Sequence, residues 1–281
     1  MNYLIGQLKE LIIEAGKIAI ATRNKDLIIE YKEDNSPVTN GDKAVSAFIY
    51  NKLQGLTPDI LVICEERPLI IPTTNTFWLI DPIDGTKNYI RGKDTYTINI
   101  GLIENGEPTI GLIYQPAIDK LYYTSSLNTI KIEQYGKTLE VSNPSFSQGV
   151  NINESERGSN LLTEVELKKN PIGLQKKYFI GIVSPGIIDQ ETANFLKNNY
   201  VNEIKYVPGS LKLCFVADGT ADIAPKLNHP TMEWDIAAGH SLIKATGGNI
   251  MDLSGKQITY GKPNFMNNKY FACNYDWLNS H

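Results

Sequence analysis

Asp81 and Asp84 stand three residues apart in Ile80-Asp81-Pro82-Ile83-Asp84-Gly85-Thr86-Lys87. The preceding Phe77-Trp78-Leu79-Ile80 is apolar and β-prone, so the two carboxylates are expected where a buried strand leaves the core. Unpaired negative charge is costly there unless a cation neutralises it. Hard oxygen ligands suit Mg²⁺, which takes one or two carboxylates and shares the rest of its shell with water and phosphate. A lone Asp-x-x-Asp before a glycine is more often an ordinary surface turn, so the chemistry depends on what other segments add. Three segments add to it: Asp34-Asn35-Ser36-Pro37-Val38-Thr39-Asn40-Gly41-Asp42; the apolar run 60–64 ending in Glu65-Glu66; and Trp234-Asp235-Ile236-Ala237-Ala238-Gly239-His240, followed by Gly247-Gly248.

Hydrolysis of a phosphate monoester needs a nucleophilic water, charge neutralisation on the phosphoryl oxygens and help for the leaving oxygen. Two metals ~3.5–4 Å apart can serve both ends of an in-line displacement. Carboxylates from separate parts of the chain must then converge, and Glu65 ends one expected strand, Asp81 and Asp84 end another, and Asp235 opens an expected helix. Taken in order, these motifs resemble the Mg²⁺-dependent, lithium-sensitive phosphomonoesterases of the inositol monophosphatase superfamily, over nearly the whole chain. Asp-Gly-Thr-Lys at 84–87, Ser36-Pro37-Val38-Thr39 and the Trp-Asp-x-Ala-Ala-Gly-His form resemble the branch that acts on 3'(2'),5'-bisphosphate nucleotides.

The resemblance implies roles residue by residue. Glu65, Asp81 and the Ile83 carbonyl would hold a first Mg²⁺, and Asp81, Asp84 and Asp235 a second, with two or three ions per site. Glu66 would support them from behind. Thr86 would orient the attacking water and Asp42 would take proton charge from that pair. The amides of Gly85 and Thr86 would face the phosphate. Lys87, Ser210, Lys212 and Lys226 would lie on the substrate side with Glu65, Ile83, Asp84 and Asp235, Lys226 meeting a second phosphate where the branch often has arginine. Two departures fall on that side: Gly209 replaces the first serine of a Ser-Ser-Leu-Lys stretch, and Ser184-Pro185-Gly186-Ile187 replaces Ser-x-Ser-His. The implied activity is conversion of adenosine 3',5'-bisphosphate to AMP and phosphate, in support of sulfate assimilation. Its alternatives are an inositol or sugar-bisphosphate phosphatase of the same superfamily, and a non-catalytic nucleotide- or metal-binding regulator.

The elements that must position these groups follow from periodicity. Leu4, Leu8, Leu11, Ile12, Ala15, Ile18 and Ala19 predict an amphipathic first helix. Residues 26–31 alternate weakly, Ser36-Pro37 sets a turn, and Thr39 or Asn40 caps a second helix with Asp42 in its first turn. Strands are expected at 60–64, 77–80, 96–103, 109–114, 121–125 and 129–134, with Asn105-Gly106 as a hairpin turn. Asn143-Pro144-Ser145 marks the boundary between an expected N-terminal α+β domain (1–145) and a C-terminal α/β domain (146–281). The polar stretch 147–170 reads as an insertion. Beyond it, strands at 178–183, 204–207, 221–224, 248–251 and 270–273 alternate with helices at 190–197, 210–217 and 234–245. The family resemblance implies an α/β (α+β) fold, a layered α-β-α-β-α sandwich. His240, five residues beyond Asp235, is about 140° around the helix from it and need not share the metal face; His229 precedes Pro230 in an expected loop and belongs to no metal-ligand or triad pattern, and the pairs Lys168-Lys169 and Lys176-Lys177 read as solvated.

The chain has 281 residues, 42% of them hydrophobic, enough for a substantial core. Its net charge of −4 argues against a nucleic-acid polymer as partner, which would call for a basic face, and leaves a small phosphorylated nucleotide open, since bound metal inverts the local field. Cys64, Cys214 and Cys273, each among apolar residues, read as reduced core thiols. With neither a signal peptide nor a membrane-length apolar window, a cytoplasmic enzyme is expected. Peripheral association with the inner membrane is known in the resembled branch, and monomer and homodimer both stay open.

Overall fold

The computed structural model describes residues 2–146 and 178–280; the expected insertion at 147–170 and the two lysine pairs lie outside them. In chain order the elements are α1 (Asn2–Lys25), β1 (Ile29–Tyr31), β2 (Pro37–Thr39), α2 (Asn40–Leu56), β3 (Leu61–Cys64), β4 (Thr76–Asp84), α3 (Thr86–Ile90), β5 (Thr97–Glu104), β6 (Glu107–Gln115), β7 (Lys120–Ser126), β8 (Thr129–Gln134) and β9 (Lys137–Ser142). A 3₁₀ turn at Pro144–Phe146 ends this part. Then follow β10 (Phe179–Val183), α4 (Gln190–Asn198), β11 (Val201–Tyr206), α5 (Leu211–Ala217), β12 (Ile223–Lys226), β13 (Thr231–Met232), α6 (Glu233–Ala245), β14 (Asn249–Asp252), β15 (Met266–Asn267), β16 (Tyr270–Cys273) and α7 (Tyr275–Leu278).

Five layers result. A seven-stranded sheet runs in sequence order from β3 to β9, and a five-stranded sheet has the order β11-β10-β12-β16-β14. Alternation sends Trp78, Ile80, Ile98, Ile100, Leu112 and Tyr114 to one face of the larger sheet, where they meet Leu8, Ile12 and Ala15 of α1 and Val45, Ile49 and Leu53 of α2. The other face carries Phe77, Leu79, Ile113 and Tyr122, which pack with α5 and α6 and, beyond them, with Ile182, Ala224, Ile250 and Ala272 of the smaller sheet. Phe179, Ile223, Phe271 and Trp277 form the outermost apolar layer with Phe195 of α4. The central helical layer is thus sandwiched between two sheets.

Gly101 of β5 and Gly111 of β6 are register partners. A Cβ on Gly101 would lie 2.9 Å from the Ala237 Cβ and from the Ala238 nitrogen, and one on Gly111 would run into the Ala238 carbonyl. Bare backbone at this pair lets α6 settle directly on the sheet, which fixes the height of its first turn. The three cysteines are buried and free. Asn105 and Gly106 both take positive φ between β5 and β6, as the hairpin expectation requires.

Candidate active site

β4 extends further than its apolar run suggests, continuing through Asp84. Its pairing with β5 shifts register between Asp81 and Asp84: Asp81 lies opposite Asn99 and Asp84 opposite Thr97. Three residues apart on a regular strand, the two carboxylates would point to opposite faces. The bulge, with Pro82 inside it, matches their three-residue step to the two-residue step from Thr97 to Asn99, so both face α6. Gly85 follows with φ 88° and stands at the cap position before α3.

Carboxylate oxygens of Glu65, Asp81 and Asp235 lie within 4.8 Å of one another. Glu65 emerges directly after β3, and Asp235 sits in the first turn of α6, where one oxygen accepts from the Met232 amide at 2.7 Å. Asp84 joins from β4 and accepts from the Ser210 amide. Burial above all, then mutual repulsion, pushes the Asp81 carboxyl well above its ordinary range. The same two causes raise Asp235, and burial raises Glu65 against the pull of Lys32. The Lys32 ammonium lies 2.8 Å from Glu65 and 2.6 Å from Glu66. Burial works against its charge, but the two glutamates outweigh burial and raise its pKa.

The donor set fits a hard divalent cation. It is all oxygen, Glu65, Asp81 and Asp235 are raised by burial and then by neighbouring acids, and the fully buried Asp81 Oδ1 has no hydrogen-bond partner. His240 is no part of it. Its ring is buried between the Tyr260 hydroxyl and the Asn249 side chain, each 2.9 Å away.

Asp42 and Thr86 meet beside this cluster. Thr39 caps α2, and its amide and hydroxyl donate to Asp42 Oδ2 at 2.8 and 2.5 Å. Asp42 Oδ1 faces the Thr86 hydroxyl at 3.2 Å, and that hydroxyl also lies 3.1 Å from the Ile83 carbonyl. One hydroxyl proton thus has two acceptors. Burial raises the Asp42 pKa despite these bonds.

A cavity of about 160 Å³ opens on the Asp84 and Asp235 side, walled by Ser184, Gly209, Ser210, Lys212, Lys226, Thr231 and Tyr270 among others. Lys212 donates to the Ser184 hydroxyl at 3.0 Å and to the Gly209 carbonyl at 2.9 Å, and Lys226 to Asn228 at 3.2 Å. All these acceptors are neutral. Burial lowers the Lys212 pKa to about 8 and also lowers that of Lys226. Lys87 is exposed next to Thr86 and is not part of the cavity wall. Gly209 has φ 57°, and a Cβ there would collide with the Asp84 carboxylate. The departure from serine therefore has a local reason: the turn before α5 closes on Asp84 too tightly for a side chain.

The structure thus brings together Asp42, Glu65, Asp81, Ile83, Asp84, Gly85, Thr86 and Asp235, with Ser210, Lys212 and Lys226 along the cavity. Sequence reasoning gave no role to Lys32, Thr97, Asn99 or Tyr270. Lys32 looks like any surface lysine. Thr97 and Asn99 did carry a signal, two polar residues on one alternating face of an otherwise apolar strand.

The model of the inositol monophosphatase family matches residues 2–279. The chain belongs to the inositol monophosphatase family. The 3'(2'),5'-bisphosphate nucleotidase CysQ of Salmonella typhimurium is 30% identical over 262 residues, 92% of this chain and 94% of that protein. The Buchnera aphidicola CysQ is 30% identical over 277 residues, 96% of this chain and 93% of its own length. Among solved structures, CysQ from Bacteroides thetaiotaomicron, a bacterial member of the inositol monophosphatase family, superposes with a TM-score of 0.72 at 25% identity over 98% of both chains. The Thermotoga maritima IMPase shares the fold at a TM-score of 0.67 and 22% identity, over 99% of this chain and 94% of that one. As an inositol monophosphatase family member the chain is a phosphatase of layered α/β fold. No helix among the described residues is long and apolar enough to cross a membrane.

Proposed function

We propose that this chain is a Mg²⁺-dependent 3'(2'),5'-bisphosphate nucleotidase that hydrolyses adenosine 3',5'-bisphosphate to AMP and phosphate. The observation that carries the reading is the separation of charge across one cavity. Asp84 and Asp235 form its acidic end, with Glu65 and Asp81 clustered against Asp235 beyond the cavity wall, while Lys212 and Lys226 form a cationic wall whose hydrogen-bond acceptors are neutral. A substrate with two phosphates suits both ends, whereas inositol monophosphate offers only one. The 30% identity to CysQ proteins over most of the chain supports the same branch.

Glu65, Asp81, the Ile83 carbonyl, Asp84 and Asp235 would hold Mg²⁺. When bound, the ions would neutralise phosphoryl charge and make water more acidic. The chain's own residues supply the rest. The Thr86 hydroxyl holds the attacking water and passes proton charge to Asp42 Oδ1, whose raised pKa suits it to share a proton. The amides of Gly85 and Thr86, at the start of α3, face the scissile phosphate, and Lys87 stands outside the cavity as a surface charge. Lys212 and Lys226 hold the second phosphate as point charges. Water adds to phosphorus, the ribose oxygen leaves and takes up a proton, and the products are an alcohol and inorganic phosphate.

The test is phosphate release from adenosine 3',5'-bisphosphate and from inositol 1-phosphate, each with Mg²⁺ and with EDTA. The expected result is Mg²⁺-dependent turnover favouring the nucleotide by at least about tenfold in kcat/KM, a difference of ~1.4 kcal/mol. Preference for inositol phosphate would keep the acidic end and reject the role of the two lysines. Mg²⁺ binding without turnover of either would point to a regulator.

A further inference from the structure

Behind the two aspartates of β4 lies a small polar network that the mechanism above does not use. Thr97 and Asn99 of β5 stand opposite Asp84 and Asp81 in the ladder. The Ser210 hydroxyl, from the turn before α5, lies 2.6 Å from that of Thr97 and donates to Asn99 Oδ1 at 3.1 Å. The Ser210 amide donates to Asp84. Thr97, Asn99 and Ser210 are all nearly fully buried, at 1%, 1% and 3% exposure. The network therefore ties the cavity wall of the C-terminal half to the strand that carries both aspartates.

One atom of this network is unsatisfied. Asn99 Nδ2 is buried and has no hydrogen-bond partner, and so is Asp81 Oδ1 on the residue directly opposite. Side chains paired across an antiparallel ladder have Cβ atoms ~4.5–5.5 Å apart, within reach of one another. The amide's orientation follows from charge. With Oδ1 on Ser210, its N–H groups are turned to the acidic cluster; reversed, an acceptor oxygen would face the carboxylates. A buried amide donor without a partner costs free energy. Such a cost, beside a ligand carboxylate with its own unpaired oxygen, is explained if the donor serves the loaded site.

We propose that Asn99 is a positioning residue for the metal site: its Nδ2 donates to the oxygen shell around Asp81, and Ser210, backed by Thr97, holds the amide in that orientation. The proposal rests on the metal-site reading above. Donors behind ligating carboxylates typically change metal affinity by ~10–100-fold when removed. Asn99 also gives a physical link between cavity and metal, because a ligand that displaces Ser210 would turn the amide.

The experiment is calorimetric titration of Mg²⁺ into the full chain as wild type, Asn99→Leu and Ser210→Ala, with melting temperatures recorded in EDTA. Asn99→Leu should raise the apparent Mg²⁺ Kd by roughly 10–100-fold. Its melting temperature in EDTA should stay within about 4 °C of wild type, equivalent to ~1–2 kcal/mol, because the substitution also removes the unpaired donor. Ser210→Ala, which keeps the amide but frees its orientation, should raise the Kd by a smaller factor. A wild-type Kd in Asn99→Leu, with only its melting temperature lowered, would make Asn99 a packing residue and overturn the proposal. Should that variant not fold, an unchanged Kd in Ser210→Ala overturns it instead. If wild type itself binds no Mg²⁺, the metal-site reading fails and this inference fails with it.

Discussion

The Thr86 hydroxyl is held between two acceptors, the Asp42 carboxylate at 3.2 Å and the Ile83 carbonyl at 3.1 Å. Both distances are at the long end for O–H···O bonds, as expected of a proton not committed to either partner. Thr39 occupies the other oxygen of Asp42 more firmly, so Asp42 presents one oxygen to Thr86 in a fixed direction. Thr86→Ala should therefore leave Mg²⁺ affinity and KM close to wild type and lower kcat by roughly 10²–10⁴-fold. Thr86→Ser, which restores the hydroxyl, should recover most of that loss. Single-turnover and steady-state assays at saturating Mg²⁺ check this, and a kcat for Thr86→Ala within a few-fold of wild type would remove Thr86 from the proton path. At this scale the sequence was informative wherever chemistry demanded a rare combination of residues, as in Asp-Pro-Ile-Asp-Gly-Thr. It was silent on Lys32, because a lysine's partners are set by tertiary structure, and Glu65 and Glu66 are more than thirty residues away along the chain.

Elements decide where those residues point. The apolar periods of α1, α2 and α6 and the alternation of β5 to β8 mark the elements that build the core, and all of them are legible because each buries a face. β9 is not legible: its residues are mostly exposed, so no alternation betrays it. β13 and β15 are two residues each and exist only because the chain returns to pair Thr231 with Asn267. The bulge in β4 also escapes the sequence, since it shows only once β5 is laid beside it. The contact of α6 with the sheet is the most sensitive of these arrangements. Gly101→Ala would place a methyl 2.9 Å from the Ala237 Cβ and the Ala238 nitrogen. It should lift the first turn of α6, cost ~1–3 kcal/mol of stability by overpacking and weaken Mg²⁺ binding through Asp235. Gly6→Ala, within α1 and with nothing but the helix's own local backbone near the added methyl, is the control. It should stabilise by ~0.5–1 kcal/mol. Denaturant melts with and without Mg²⁺ distinguish the two, and equal effects of both substitutions would show that α6 can shift without consequence.

Over the whole molecule, the site exists because three layers deliver acids to one place: Glu65 and the β4 aspartates from the larger sheet, Asp42 from α2 and Asp235 from α6. Folding therefore concentrates negative charge, and the metal-free protein should feel it. Burial first, then neighbouring acids, raises Asp81 and Asp235, the latter to about 8. A carboxyl whose folded pKa is above its unfolded value makes a contribution that is complete below the unfolded value and is lost as pH rises through the folded one. Two other groups bound the useful window. Burial holds His240 at about 4, so its opposite contribution is complete above roughly pH 6.5. Lys212, at about 8, begins to add stability only above that. Between pH 6.5 and 8 the raised acids dominate, and in EDTA stability should fall by on the order of 1–2 kcal/mol, roughly 3–6 °C in Tm. Saturating Mg²⁺ should abolish the slope, because a cation favours the charged carboxylates and binds only the folded chain. Melting curves at pH 6.5, 7.2 and 8.0, with EDTA and with Mg²⁺, measure both. Parallel slopes in the two series would mean that the acids are already neutralised inside the protein by Lys32 and backbone amides. The acidic cluster would then be a folding device, with no pull on a divalent ion.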